Sequence, residues 1–349
     1  MTQVVNLAIV GAGTMGTGIA LNAAHHGINV NLVDISQAAL QRSNDRLKRM
    51  LARRQTKGIV NAIEAKQCLS RITLSTDMST LRSAEIVIEA VFEDFAVKSA
   101  LLPEISAHCT PSAVIATNTS ALQVSDLART VISPERFLGM HFFSPADTSP
   151  VVELIKGAQS DNRSLRRAET FLRQTHRDVL QCKDTPGFAI NRFFVPFLNA
   201  AALAVDRGYG SFEQINDLGR ALVGSAIGPF EVMNFIKPEI ALNAMINLSV
   251  LGPDYQPANS LRRLAEDKGL WELETEAKFS PNLDQALQTL LHGIVLPVSE
   301  IHAAQIVDRA ELDRCAKIAL QWSRGPNELV ADFATEKAGS EPTHTSAHL

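Results

Sequence analysis

One feature near the start of the chain constrains its folding more than any other. Gly11-Ala12-Gly13-Thr14-Met15-Gly16 is a G-x-G-x-x-G turn, and it follows the apolar run 4–10 directly. Such a run suits a strand buried on both faces of a parallel sheet, and the small residues after the turn predict a helix through residue 26. Gly11 permits the tight turn, Gly13 lets the backbone approach a pyrophosphate, and Gly16 lets helix and strand pack closely. The unpaired N–H groups of the first helical turn, around Thr14 and Met15, and the helix dipole would hold the phosphates. Asp34 ends the next strand, 28–33, and is placed to accept hydrogen bonds from the adenosine ribose hydroxyls. A 2′-phosphate there would meet carboxylate repulsion, and Ile35 and Ser36 bring no arginine to receive it. The expectation is therefore NAD rather than NADP; the bland alternative is a glycine turn that holds no ligand.

The first half of the chain keeps this strand–helix alternation. A long basic helix spans 36–57, and strands are expected at 72–74, 86–89 and 113–117 with helices between them. The rhythm predicts an α/β, Rossmann-type doubly wound parallel sheet. It changes near residue 137, where strands 137–143 and 151–155 are joined by Ser144-Pro145-Ala146-Asp147-Thr148-Ser149-Pro150. A helix at 163–175 and a short strand at 179–181 close the first domain. Pro186-Gly187 is a strong break, and helical patterns run from there to about Ala334.

The domains expected are 1–184 (nucleotide-binding), 185–280 (all-α), 281–334 (a second helical repeat) and 335–349, a tail without apolar periodicity read as disordered. The repeat rests on an echo. Val195-Pro196, Val205-Asp206, Ile215 and Gly228-Pro229-Phe230-Glu231 are answered by Leu296-Pro297, Val307-Asp308, Leu312 and Gly325-Pro326-Asn327-Glu328. The helix–helix linker looks shorter in the second copy. Chance likeness between two amphipathic helix pairs is the alternative.

A chain of 349 residues with formal net charge −4 has no basic excess to neutralise phosphates, which argues against nucleic-acid and membrane-surface binding. No apolar run approaches the ~20 residues of a transmembrane helix, and residues 1–6 lack a signal-peptide pattern. Cys68, Cys109, Cys182 and Cys315 are widely spaced without a CxxC pair, so four free thiols, a cytoplasmic setting and no metal site are expected.

A nicotinamide redox enzyme needs a group to take or give the hydroxyl proton as hydride moves, and histidine suits this near neutral pH. Of nine histidines, only His141 lies on a strand leading into the 144–150 turn. Glu153 lies on the returning strand, inside Val151-Val152-Glu153-Leu154-Ile155, where a carboxylate is costly to bury unless paired. A His–Glu pair across the hairpin satisfies both; a core histidine and a surface glutamate are the plain alternative.

From Gly11 to Glu231 the chain closely resembles the L-3-hydroxyacyl-CoA dehydrogenase family. The matching stretches are 11–20, Glu93 with Lys98, Thr117-Asn118-Thr119-Ser120, Gly139-Met140-His141-Phe142-Phe143, Lys183-Asp184-Thr185-Pro186-Gly187-Phe188-Ala189-Ile190-Asn191-Arg192 and Gly228-Pro229-Phe230-Glu231. The resemblance implies that His141 is the general base in oxidation and the general acid in reduction, with Glu153 its electrostatic partner. It implies that Ser120 and Asn191 hydrogen-bond the substrate oxygens. It also implies that Glu93, Lys98, Asn118, Ser120 and Ser144 join Gly11, Gly13, Thr14, Met15, Gly16 and Asp34 on the cofactor side.

Lys48, Arg49, Arg53, Arg54 and Lys57 are placed to meet a phosphorylated thiol carrier, or form a solvated basic face. The chain departs from the family in several places. The loop after His141 is polar, which suggests a small or polar acyl group. Ser144 stands where many members have Asn. Asn234 and Ile236-Lys237-Pro238 replace an Asp and a Gly-Leu-Asp, and the usual Lys-Thr-Gly-x-Gly-Phe-Tyr ending is absent. A second helical copy could cover the face that short members use to dimerise, so a homodimer is one of two assemblies.

Three functions follow: an NAD-dependent dehydrogenase of 3-hydroxyacyl-CoA, the same chemistry on an acyl carrier protein, or a non-catalytic, crystallin-like dinucleotide binder. Intact Ser120, His141, Glu153 and Asn191 speak against the last.

Overall fold

The computed structural model describes residues 3–273 and 282–339, the last five by backbone alone. It divides into two compact units at Phe188/Ala189.

The first unit is built on an eight-stranded sheet in the order β3-β2-β1-β4-β5-β6-β7-β8. Its strands are β1 (Asn6–Val10), β2 (Asn29–Val33), β3 (Ile72–Ser75), β4 (Ile86–Glu89), β5 (Val114–Thr117), β6 (Phe137–Phe142), β7 (Val151–Lys156) and β8 (Asp178–Lys183). β1 to β6 are parallel; β7 pairs antiparallel with β6 and parallel with β8. The order reverses at β1, between β2 and β4, which is where the glycine turn lies. Ligands of open α/β sheets bind at such switch points.

The helices of this unit are α1 (Thr14–His25), α2 (Gln37–Thr56), α3 (Ala62–Ser70), α4 (Phe95–His108), α5 (Val124–Ala128) and α6 (Asn162–Gln174). Their starts are legible locally. Ser36, Asn61, Asp94 and Asp161 each accept a backbone N–H of the first turn of the helix they precede. α5 is capped from a distance, because the Asp184 carboxylate accepts from Val124 and Ser125 N–H at 2.9 and 2.6 Å. Side chains from one face of the sheet, among them Leu7, Ile9, Ile88, Leu138 and Leu154, form one apolar core with residues of α1, α2, α3 and α6.

The second unit is helical: α7 (Asn191–Asp206), α8 (Phe212–Val223), α9 (Pro229–Ile236), α10 (Pro238–Leu248), α11 (Asn259–Glu266), α12 (Leu283–Ala303), α13 (Arg309–Leu320) and α14 (Pro326–Gly339). α7–α8–α9 and α12–α13–α14 match at a constant sequence spacing. Ser211 and Asp308 are N-caps. Gly224 and Gln321 end the middle helices in the left-handed conformation, at φ 63° and 55°. Glu231 and Glu328 accept from Gly228 and Gly325 N–H, and are paired with Arg220 and Lys317. Asn216 and Asp313 accept from Phe230 and Asn327 N–H.

This spacing corrects the sequence echo in two respects. The connecting segments, 207–211 and 304–308, are equally long. The residue opposite Pro196 is Gly293, while Pro297 answers Ala200. Aligning the two prolines slips the helices by one turn, a shift that keeps the apolar face in place and so leaves no trace in the hydrophobic pattern. α7 and α12 pack closely at this point: a Cβ on Gly293 would fall 2.8 Å from both the Pro196 carbonyl oxygen and the Ala200 methyl. α14 carries the backbone to Gly339, five residues into the stretch expected as tail; 340–349 lie outside the described residues.

Candidate active site

Antiparallel pairing sets His141 of β6 directly opposite Glu153 of β7. The Glu153 carboxylate accepts from His141 Nδ1 at 2.6 Å, with the residues 0% and 6% exposed respectively. A charge-assisted bond of this length fixes the ring's orientation and tautomer: the proton sits on Nδ1, and Nε2 is the nitrogen available for chemistry. Phe143 and Phe188 flank the imidazole, with ring centroids at 4.6 and 5.9 Å. Gly139, two residues upstream, is required by packing, since a Cβ there would meet Val124 and Ile155 side chains within 3 Å.

At the switch point the turn behaves as its glycines predict. Gly11 has φ +110°, and a Cβ on Gly16 would strike the Gly11 carbonyl oxygen. Nothing stands within 4 Å of where a Gly13 Cβ would be, so the face above the turn is open. α1 begins there, at Thr14 and Met15, with no side chain capping it. Asp34 accepts from Ala12 N–H and Ser36 N–H, both at 2.8 Å, which locks its carboxylate at the rim of the turn. The open glycine cradle, the uncapped helix start and the fixed acid fit a dinucleotide with free ribose hydroxyls.

Between these two features lies a buried charge network. Glu89, at the end of β4, and Lys98, on α4, are both 0% exposed and pair at 2.7 Å. Lys98 also pairs with Glu93 at 3.4 Å. Glu89 accepts from the Thr117 hydroxyl and Val91 N–H. Glu93 accepts from the Thr119 hydroxyl, Ser120 N–H and Ala121 N–H at 2.6, 2.7 and 3.0 Å. Burial pushes the Glu93 carboxyl up; Lys98 and these hydrogen bonds outweigh it and leave the group below its ordinary range.

Lys98 is thus placed to act through Glu93, which holds Ser120. Asn118 accepts from Phe142 N–H at 2.9 Å, tying β5 to the strand of His141. Ser144 is exposed. Asn191 opens α7 in the second unit.

The polar loop 144–150 is held from behind. Arg54 of α2 donates to the Asp147 carboxylate and carbonyl at 3.1 Å, and buried Arg177 donates to the Ala146 and Ser149 carbonyls. The Asp147 charge is therefore spent inside the protein, and the loop does not offer it to a substrate.

Four features escaped the sequence reading. Glu89 carries the signal that marked Glu153, an acid inside an apolar run, here Ile86-Val87-Ile88-Glu89-Ala90-Val91. Thr119 shows no such signal. Ile35 and Phe92 are apolar yet 91% and 85% exposed, one beyond β2 and one beyond β4. Among the described residues no cluster of three His, Cys, Asp or Glu could hold a metal, and no helix is long and apolar enough to cross a membrane. None of the four cysteines forms a disulfide.

The 3-hydroxyacyl-CoA dehydrogenase NAD binding domain matches residues 6–185, and the 3-hydroxyacyl-CoA dehydrogenase C-terminal domain matches 187–279. The chain is 32% identical over 268 residues to a 3-hydroxyadipyl-CoA dehydrogenase of Escherichia coli, a match covering 77% of this chain and 56% of that protein. It is 31% identical to a probable 3-hydroxybutyryl-CoA dehydrogenase of Bacillus subtilis, covering 75% of this chain and 92% of the relative. The crystal structure of (S)-3-hydroxybutyryl-CoA dehydrogenase from Ralstonia eutropha superposes with TM-score 0.74 at 31% identity, over 77% of this chain and all of that one. A 3-hydroxybutyryl-CoA dehydrogenase structure from Escherichia coli shares the fold over 97% of this chain and 96% of its own, with TM-score 0.84 at 20% identity. The chain belongs to the 3-hydroxyacyl-CoA dehydrogenase family, whose members are NAD-dependent oxidoreductases.

Proposed function

We propose that the chain interconverts (S)-3-hydroxyacyl-CoA and 3-oxoacyl-CoA, with His141 as the acid/base and Glu153 as its partner. The observation that carries this reading is the buried 2.6 Å bond between them, which leaves Nε2 as the working nitrogen. In oxidation His141 Nε2 takes the proton of the 3-hydroxyl; in reduction it returns it. Glu153 stabilises the ring while it carries two protons. The turn from Gly11 to Gly16 and Asp34 would hold NAD, which would supply the hydride chemistry at substrate C3. Ser120, fixed by Glu93, and Asn191 supply hydrogen bonds to the substrate oxygens, and holding reacting atoms at near-attack distance is worth several kcal/mol. Glu93 with Lys98 behind it, Asn118 and Ser144 line the nicotinamide side, while exposed Ile35 and Phe92 offer apolar surface to the adenine.

The test is NADH oxidation with 3-oxoacyl-CoA esters of varied length and polarity, acetoacetyl-CoA and a carboxylate-ended ester among them. H141Q should abolish it. NADH binding without turnover of any ester would leave the non-catalytic reading standing.

A second reading uses an acyl carrier protein. Exposed Lys48, Arg49, Arg53 and Lys57 along α2 support it, since they face solvent while Arg54 is engaged by Asp147. Rates on one acyl group carried by each thiol, at low and high salt, separate the two; a strong preference for the CoA ester removes the carrier protein. We place the enzyme in the cytoplasm, in line with its free thiols. We infer a homodimer from exposed Phe235, Ile240 and Val250; a single-chain mass in solution would remove it.

A further inference from the structure

The first turn of α7 carries Asn191. Its N-cap, Ile190, offers no side-chain acceptor. What anchors the turn is the next residue. Arg192 is 7% exposed, and its Nη2 donates to Glu300 Oε2 at 3.0 Å. The guanidinium lies over the Tyr255 ring, 6.0 Å from the centroid. Tyr255 is 1% exposed and donates its hydroxyl to the same Glu300 oxygen at 2.6 Å. Burial first, then the bond to Glu300, pushes the Tyr255 phenol well above its ordinary range, so it remains a donor throughout the working pH range.

Two buried donors on two different segments therefore converge on one carboxylate. Arg192 Nε has no partner of its own, which leaves the guanidinium dependent on Glu300 for compensation. Glu300 comes from α12, which begins at Leu283, beyond residue 279 where the family's C-terminal domain match ends. The later helices thus reach back to the start of α7.

We infer that Glu300, together with Tyr255, is a positioning residue for Asn191: by clamping Arg192 it fixes the first turn of α7 and so the direction of the Asn191 amide. This rests on the reading of Asn191 as a residue that holds the substrate. Displacement of a positioning group by about 1 Å can cost on the order of 100-fold in rate.

The test is steady-state kinetics of the full-length chain with NADH and acetoacetyl-CoA, for E300A, E300Q, Y255F, N191A and the N191A/E300A double variant. NADH affinity by fluorescence and thermal melts are measured alongside. E300A should lower kcat by about 10- to 100-fold, with NADH affinity unchanged. E300Q, which keeps an acceptor oxygen, should recover most of the loss, and Y255F should show a smaller loss. N191A/E300A should be no slower than N191A, because a positioning residue has nothing left to position.

Wild-type kcat in E300A overturns the inference, as does a double variant as slow as the two singles multiplied together. If E300A does not fold, Y255F carries the same comparison against N191A. If N191A loses activity and the Glu300 and Tyr255 variants do not, this inference alone fails. If N191A keeps wild-type activity, the substrate role of Asn191 fails and this inference with it.

Discussion

Replacing Glu153 with glutamine is the sharpest perturbation of the His141 pair. The amide occupies the same volume and can still accept from Nδ1–H, so ring orientation survives and the negative charge alone is lost. At the 2.6 Å separation seen here, Coulomb's relation gives about 6 kcal/mol with an effective dielectric of about 20, and about 1.6 kcal/mol with that of water. Burial of both groups puts the site nearer the first figure, and the retained hydrogen bond returns part of it. A loss of about 3–5 kcal/mol in the step where His141 becomes doubly protonated corresponds to about 10²- to 10⁴-fold in kcat. The assay is NAD-dependent oxidation of the 3-hydroxyacyl-CoA that corresponds to the best ester in the substrate panel, with the KM for NAD expected to stay near wild type. H141Q/E153Q should be no slower than H141Q, since Glu153 acts only through the ring. A kcat for E153Q within about threefold of wild type would refute the electrostatic role, whatever the geometry.

The turn glycines should separate binding from folding. G13A has room for its methyl and should keep the wild-type Tm while weakening NADH binding about tenfold or more, as the methyl enters the phosphate cradle; G16A drives a methyl into the Gly11 carbonyl and should lose about 1–3 kcal/mol or more of stability by overpacking. Equal melting temperatures for the two would contradict this assignment. D147N leaves Arg54 without its counter-charge in a largely buried place; a loss of about 1.5–3 kcal/mol should appear as a Tm lower by about 3–12 °C, and an unchanged Tm would show that loop 144–150 is held by other contacts. The Glu93 carboxyl is depressed in the folded state, so its contribution to stability is present above the ordinary carboxylate value of about 4.3 and is lost as pH falls through the folded value. E93Q should therefore flatten the acid limb of a Tm-against-pH profile, and a limb as steep as that of the wild type would place the acid sensitivity elsewhere.

The nucleotide half of the molecule was readable from sequence because its instructions are local. A glycine triplet, the apolar run before it and an acid at the end of the next strand stand within one stretch of chain, and the sheet order follows from repeating that unit. Glu153 was found because a carboxylate inside an apolar run needs a partner, and hairpin register supplied His141. The same rule applies to Glu89, whose partner Lys98 lies on a helix; a buried lysine looks like an exposed one until its surroundings are known, so its engagement with Glu89 could not be read. Asp147 reads as a polar loop residue available to a substrate, yet Arg54 takes its charge from 93 positions away, a pairing that only the tertiary fold creates. The register of the second helical set slipped because proline is a conspicuous marker but a poor ruler on a helix, where a shift of four residues preserves the face.

The two glycine–proline corners, Gly228-Pro229 and Gly325-Pro326, use one hydrogen-bonding design in two settings, and each glycine leaves no space for a methyl group against Asn216 or Asp313. Only the earlier corner follows the helix that begins with Asn191. Alanine at either corner should strain the helices alike, so any turnover deficit particular to the first would report what catalysis adds to the demands of folding. The chain thus carries an internal reference against which its own working parts can be measured.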